Sequence, residues 1–92
     1  MADIRDIRWR TRRGMKELDL FLIPFFEDTY KSMDISAKEV FIELLDESDP
    51  SLFSCLMGHG TLEDKKLQAM IDLIRKYKLK DNLEKIQELE ST

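Results

Sequence analysis

"MKELDLFLIPFFEDTY", residues 15–30, is the longest stretch of this 92-residue chain with a clear apolar period. Met15, Leu18, Leu22, Phe25, Phe26, Thr29 and Tyr30 recur at steps of three and four, the spacing of one helix face and not of a strand. Pro24 lies inside the pattern. It removes one backbone hydrogen bond and its ring crowds the carbonyl of Leu20, so the expectation is a kinked helix from Met15 to about Ser32.

The same period extends to both sides. Upstream, Ile4, Ile7 and Thr11 line one side of a short helix, with Arg5, Arg8 and Arg12 displaced from it and Trp9 off the stripe. Gly14 is expected at the C′ position, where a residue without Cβ takes a positive φ easily. Downstream, "SAKE" (36–39) has the spacing of a capping box, with Ser36 as N-cap and Glu39 at N3. Val40, Phe41, Leu44 and Leu45 give that helix its apolar face as far as about Glu47. Asp49 as N-cap with Pro50 at N1 opens a fourth helix. Its core side is Leu52, Phe53, Leu56 and Met57, and Gly58 or Gly60 stops it. Thr61 and Asp64 repeat the capping-box spacing before a fifth helix carrying Leu67, Met70, Ile71, Ile74 and Tyr77. No alternating run is long enough for a strand. The expected fold class is all-α, a small five-helix bundle of one domain. Residues 1–76 form its body. Residues 77–92, with Leu79, Leu83, Ile86 and Leu89 at helical steps, form an extension that is helical or frayed.

A chain of this length buries roughly 60–65% of its unfolded surface, enough for one modest core. Its single cysteine, Cys55, excludes an internal disulfide. The longest apolar run, Leu20 to Phe26, holds a proline and is far short of a membrane span, so no membrane insertion is expected. The charged N-terminus fits neither a signal peptide nor a good transit peptide. A cytoplasmic protein is the simplest expectation, or one of the mitochondrial matrix if the chain is a processed eukaryotic one.

Catalytic chemistry is thin. There is no glycine-rich phosphate loop, and one histidine and one cysteine are too few for a zinc site without help from carboxylates. Cys55 and His59 could be imagined as a nucleophile pair, but a lone cysteine in a helical pattern usually packs as a small hydrophobe. The phenylalanines fall at core spacing. The expectation is a protein that is not an enzyme.

The net charge of −4 conceals an asymmetry. Arg5, Arg8, Arg10, Arg12, Arg13 and Lys16 face only Asp3 and Asp6 within residues 1–16, a net +4, while residues 17–92 carry a net −8. Two readings of "RTRRGMKELD" (10–19) follow. In one, the charges punctuate two helix ends: cations suit the last turn of the first helix, and Glu17, at N3 if Gly14 is the N-cap, suits the start of the second. In the other they form a recognition surface, because crowded like charges need an anionic answer and an exposed tryptophan among arginines has the composition of an interface hot spot.

"WRTRRGMKELDLFLIPFFEDTY" (9–30) resembles the signature of the SdhE/Sdh5 family, the flavinylation and assembly factors of succinate dehydrogenase. The family's R-G-x-x-E motif stands here as Arg13-Gly14-Met15-Lys16-Glu17, followed by Leu18-Asp19. The likeness continues through Pro24-Phe25-Phe26-Glu27 and Tyr30, and resumes in "FIELLDESDPSLFSCLMGHG" (41–60), similar to the family's Asp-Pro-x-Leu-Phe segment. Cys55 and Leu62 depart from it, at positions where tryptophan and proline are common. The resemblance implies a five-helix bundle with no catalysis of its own. It implies that the protein binds the flavoprotein subunit of succinate dehydrogenase or fumarate reductase and promotes covalent attachment of FAD to a histidine there. FAD would be the client's cofactor, with none bound tightly by this chain. The partner-binding residues it points to are Arg13, Gly14, Glu17 and Asp19, with Arg8, Trp9, Arg10 and Arg12 extending the patch. On this view the motif's side chains are exposed in the free protein, with Arg13 reserved for a carboxylate or carbonyls of the client. The alternative is a small helical nucleic-acid-binding or regulatory protein that uses the basic N-terminal segment, with steep salt dependence.

Overall fold

The computed structural model describes residues 3–90, with side chains as far as residue 84. Five α-helices follow in order: α1 (Ile4–Thr11), α2 (Lys16–Thr29), α3 (Ile35–Leu44), α4 (Asp49–Leu56) and α5 (Lys65–Glu90), with a 3-10 turn over Tyr30–Ser32. The expected all-α bundle is therefore what forms. Helix α2 is the hub, packing on α1, α4 and α5, while α3 and α4 also lie against α5.

The core follows from the helical period. Leu18, Leu22, Phe25, Phe26 and Tyr30 from α2 and its 3-10 extension meet Phe41, Leu44 and Leu45, then Leu52, Cys55 and Leu56, then Leu67, Met70, Ile71 and Ile74. Phe25, Phe26, Tyr30, Phe41 and Tyr77 form one aromatic cluster, with centroids 4.9 Å apart for the stacked Phe26–Tyr30 pair and 5.7 Å apart for the edge-on Phe25–Tyr77 pair. Such geometries favour the ring quadrupoles beyond simple burial. Helix α2 runs through Pro24 without a break.

The helix ends differ from expectation in instructive ways. Asp34, not Ser36, caps α3: its carboxylate accepts from the Ala37 N–H at 2.8 Å. Ser48, not Asp49, caps α4, because the Asp49 carboxylate is engaged elsewhere. Asp64 accepts from the N–H groups of Lys66 and Leu67 and so starts α5 itself, leaving Thr61 outside. Helix α4 stops as expected at Gly58 (φ +83°), where His59 N–H donates to the Ser54 carbonyl and Gly58 N–H to that of Cys55, a Schellman pair. Helix α5 continues unbroken into the extension, placing Leu79 and Leu83 on an exposed face. The side chains of Ile86 and Leu89 lie outside the described residues.

Candidate functional site

The α1–α2 turn is the chemical centre of the molecule. Helix α1 stops at Thr11, a buried residue whose hydroxyl donates to the Arg8 carbonyl. Arg12 is extended, and the chain reverses at Gly14, with φ +80°. Gly14 is thus in the left-handed region as anticipated, but beyond the C′ position and inside the connection. Met15 is the N-cap of α2 and makes no side-chain cap bond, so Glu17 falls at N2, one place earlier than expected. Asp19 supplies the missing fastening: its carboxylate accepts from the Arg13 backbone N–H at 2.8 Å.

Arg13 departs most from the sequence expectation. Its side chain is only 16% exposed and turns inward. Nε donates to the Asp49 carboxylate at 2.7 Å. Nη1 donates to the carbonyls of Arg10 (3.1 Å) and Leu45 (3.0 Å), and Nη2 to that of Glu47 (2.8 Å). Helix α3 ends at Leu44, and the carbonyls after a helix end need donors from outside. The Arg13 guanidinium provides them, and the fixed fork of an arginine suits several acceptors at once. Arg10 works alongside, pairing with Asp46 and reaching the Ile42 carbonyl. Arg8 pairs with Glu27 at 2.9 Å and lies over the Phe26 ring.

The crowded cations are therefore answered from within the chain. Four of the six have an internal carboxylate: Arg5 with Asp3, Arg8 with Glu27, Arg10 with Asp46 and Arg13 with Asp49. Arg12 and Lys16 are exposed and form no ion pair among the described residues, and neither does the exposed Glu17. Trp9 stands 75% exposed on the outer side of α1. A Cβ placed on Gly14 would meet no atom of the described residues within 4 Å other than those of its two chain neighbours. Lys16, Asp19, Leu20, Ile23 and Pro24 border a shallow depression beside Gly14, and Leu20 is 48% exposed there. Sequence reasoning missed Asp49, Leu20 and Ile23 as members of this region. The Asp-Pro segment was conspicuous, but nothing in its spacing says which residue it meets.

The remaining candidates, Cys55 and His59, lie apart from this turn. Cys55 is buried, and burial, followed by the charge of Glu47, pushes its thiol above the ordinary range, opposite to what a nucleophile needs. His59 is exposed in the turn after α4. No group of His, Cys, Asp and Glu among the described residues is arranged to hold a metal ion, and no described helix is long and apolar enough to cross a membrane.

Fold and site together define a small helical bundle that carries its polar chemistry on one braced surface turn. Comparison with known proteins places that class. Residues 5–78 match the Sdh5 family, described as "Flavinator of succinate dehydrogenase". The chain is 48% identical over 69 residues to the FAD assembly factor SdhE of Pectobacterium atrosepticum, covering 75% of this chain and 78% of that protein. It is 47% identical over 68 residues to the protein of the same name from Vibrio cholerae. The solution structure of a UPF0350 protein superposes with a TM-score of 0.66 at 40% identity, covering 95% of this chain and 92% of the other. The chain belongs to the Sdh5 family.

Proposed function

We propose that this protein is an assembly factor that binds the flavoprotein subunit of succinate dehydrogenase and promotes covalent attachment of FAD to it. Family membership and the names of the relatives support the reading, and one observation in the site carries it. Gly14 faces open space, flanked by Arg12, Lys16 and Glu17, which form no ion pair among the described residues, while every other charge of the motif is engaged within the chain. The left-handed φ of +80° calls for glycine locally, and the open space in front of it leaves room for a partner's surface to come close. Glu17 accepts hydrogen bonds or a cation from that partner, Arg12 and Lys16 offer donors, and Trp9 supplies a rigid aromatic contact at the edge.

Such a protein acts without chemistry of its own. The client's reaction needs a histidine nitrogen held close to the 8α carbon of its flavin. Holding reactants in a near-attack geometry contributes up to ~7–11 kcal/mol. A helper that binds the productive arrangement of the subunit better than the others shifts the population toward it. FAD stays with the client, fumarate reductase is a second client of the same kind, and the cytoplasm is where the encounter occurs. Residues 1–76 carry the docking.

Nothing in the site favours the nucleic-acid reading. Among the described residues, four of the six cations of the basic segment already have an internal carboxylate that a phosphate would have to displace, and the rest of the chain carries a net −8.

The test is in-gel flavin fluorescence of the denatured flavoprotein subunit from cells lacking this protein, given back either wild type or Glu17→Ala. Covalent flavin is expected to fall without the protein, to return with wild type and to stay low with Glu17→Ala. Unchanged fluorescence across all three strains would reject this client.

A further inference from the structure

We infer that Arg13 and Asp49 form a latch that sets the α1–α2 turn, so that Arg13 acts as a positioning residue and Asp49 is a functional partner of the motif thirty-six residues away in sequence. The inference rests on the docking role of that turn and says how the turn is held ready.

The geometry is directional. The guanidinium enters the corner between α3 and α4, and no atom of that corner lies within 4 Å of a Cβ placed on Gly14. There it meets one carboxylate and the carbonyls of Leu45 and Glu47, while its third carbonyl, from Arg10, ties it back to α1. The Arg13 backbone N–H is meanwhile held by Asp19 in the first turns of α2. Arg13 is therefore fastened from three directions, by α1, by α2 and by the α3–α4 corner, and Gly14 is the next residue. A guanidinium so committed has no donor fork to offer a partner without breaking the corner. Glu17, exposed and in no ion pair among the described residues, is the opposite case.

Lysine cannot replace it, because one ammonium cannot reach a carboxylate and three carbonyls in the plane that the fork covers. Asparagine at position 49 keeps the shape and removes the charge. Residues acting through one contact give non-additive losses when both are changed, whereas two independent contacts give additive ones.

The full-length chain is titrated against purified apo flavoprotein subunit of succinate dehydrogenase as wild type, Glu17→Ala, Arg13→Lys, Asp49→Asn and the Arg13→Lys/Asp49→Asn double variant, with Ile74→Val as a core-destabilised control. Arg13→Lys and Asp49→Asn are each expected to weaken binding about tenfold or more. The double variant should bind no worse than the weaker single one, and Ile74→Val should bind as wild type. Amide NMR signals of residues 13–17 should move in Asp49→Asn, and those of the mid-α5 residues should not. Wild-type binding by Asp49→Asn, additive losses in the double variant, or equal weakening by Ile74→Val overturns the latch. If a latch variant does not fold, the wild-type Arg13 Nε–H signal decides. Slow exchange in the free chain and an unmoved shift when the subunit is added support the latch. Fast exchange, or a large shift on binding, means that Arg13 meets the partner directly. If the wild type does not bind the subunit at all, slow Nε–H exchange with moved 13–17 amides in Asp49→Asn leaves the latch standing and removes the client instead.

Discussion

Gly14 combines two properties that one substitution can separate. Its φ of +80° disfavours any residue with a Cβ, at a cost of about 1–2 kcal/mol, and the space in front of it is empty. Asparagine tolerates the left-handed region better than other side chains, so Gly14→Asn should melt close to wild type. Gly14→Arg should melt a few degrees lower and remain folded. Both should lose binding to the flavoprotein subunit by an order of magnitude or more, because both fill the open space. Calorimetry beside a binding titration checks this, and a Gly14→Asn variant that binds normally would return the glycine to a purely conformational role. At this scale the motif was legible in part. Gly14 and Glu17 stand open as anticipated. Arg13 and Asp19 do not, because the acceptor that claims Arg13 comes from a distant segment and the N–H that claims Asp19 depends on the path of the turn.

At the scale of the elements, helix existence was readable and helix starts were less so. Each of α3, α4 and α5 begins with two cap-capable residues close together: Asp34 and Ser36, Ser48 and Asp49, Thr61 and Asp64. Which one caps depends on what else claims the side chain. Asp49 is drawn to Arg13 and leaves the cap to Ser48, whose hydroxyl accepts from the Ser51 N–H. Asp34 and Asp64 prevail over Ser36 and Thr61 by lying where the helical backbone begins. Asp34→Ala should therefore cost about 1 kcal/mol, whereas Ser36→Ala should stay within about 0.5 kcal/mol of wild type. For a domain of this size the first change corresponds to a melting-temperature drop of roughly 4–8 °C. Equal melting temperatures for the two variants would contradict the Asp34 cap.

Across the whole molecule, α5 is tied to α2 through Tyr77. Its ring packs edge-on against Phe25 and its hydroxyl donates to the Asp28 carboxylate. Burial first, then the bond to Asp28 and the charges of Asp28, Asp81 and Glu84, holds the phenol protonated well above the ordinary tyrosine range. A pKa raised by folding means that the fold favours the protonated form. The contribution is complete below the unfolded value of about 10 and is lost as pH climbs through the folded one. Cys55, also raised, adds a loss in the same direction starting at lower pH. Thermal stability should hold to about pH 8 and then fall, and Tyr77→Phe should flatten the upper part of that fall; an unchanged profile in Tyr77→Phe would locate the alkaline sensitivity elsewhere.

Sequence by itself determined the all-α class, the order of the helices, most of the core and the surroundings of Gly14 as the place of interest. Those features are written in local periodicity, which each segment carries without reference to the others. Tertiary structure alone decided which charges are available. Arg8, Arg10 and Arg13 look like a free basic cluster in one dimension, yet Glu27, Asp46 and Asp49 neutralise them from nineteen to thirty-six residues away. An ion pair forms between whatever groups packing brings within a few ångströms, and no local pattern encodes that distance.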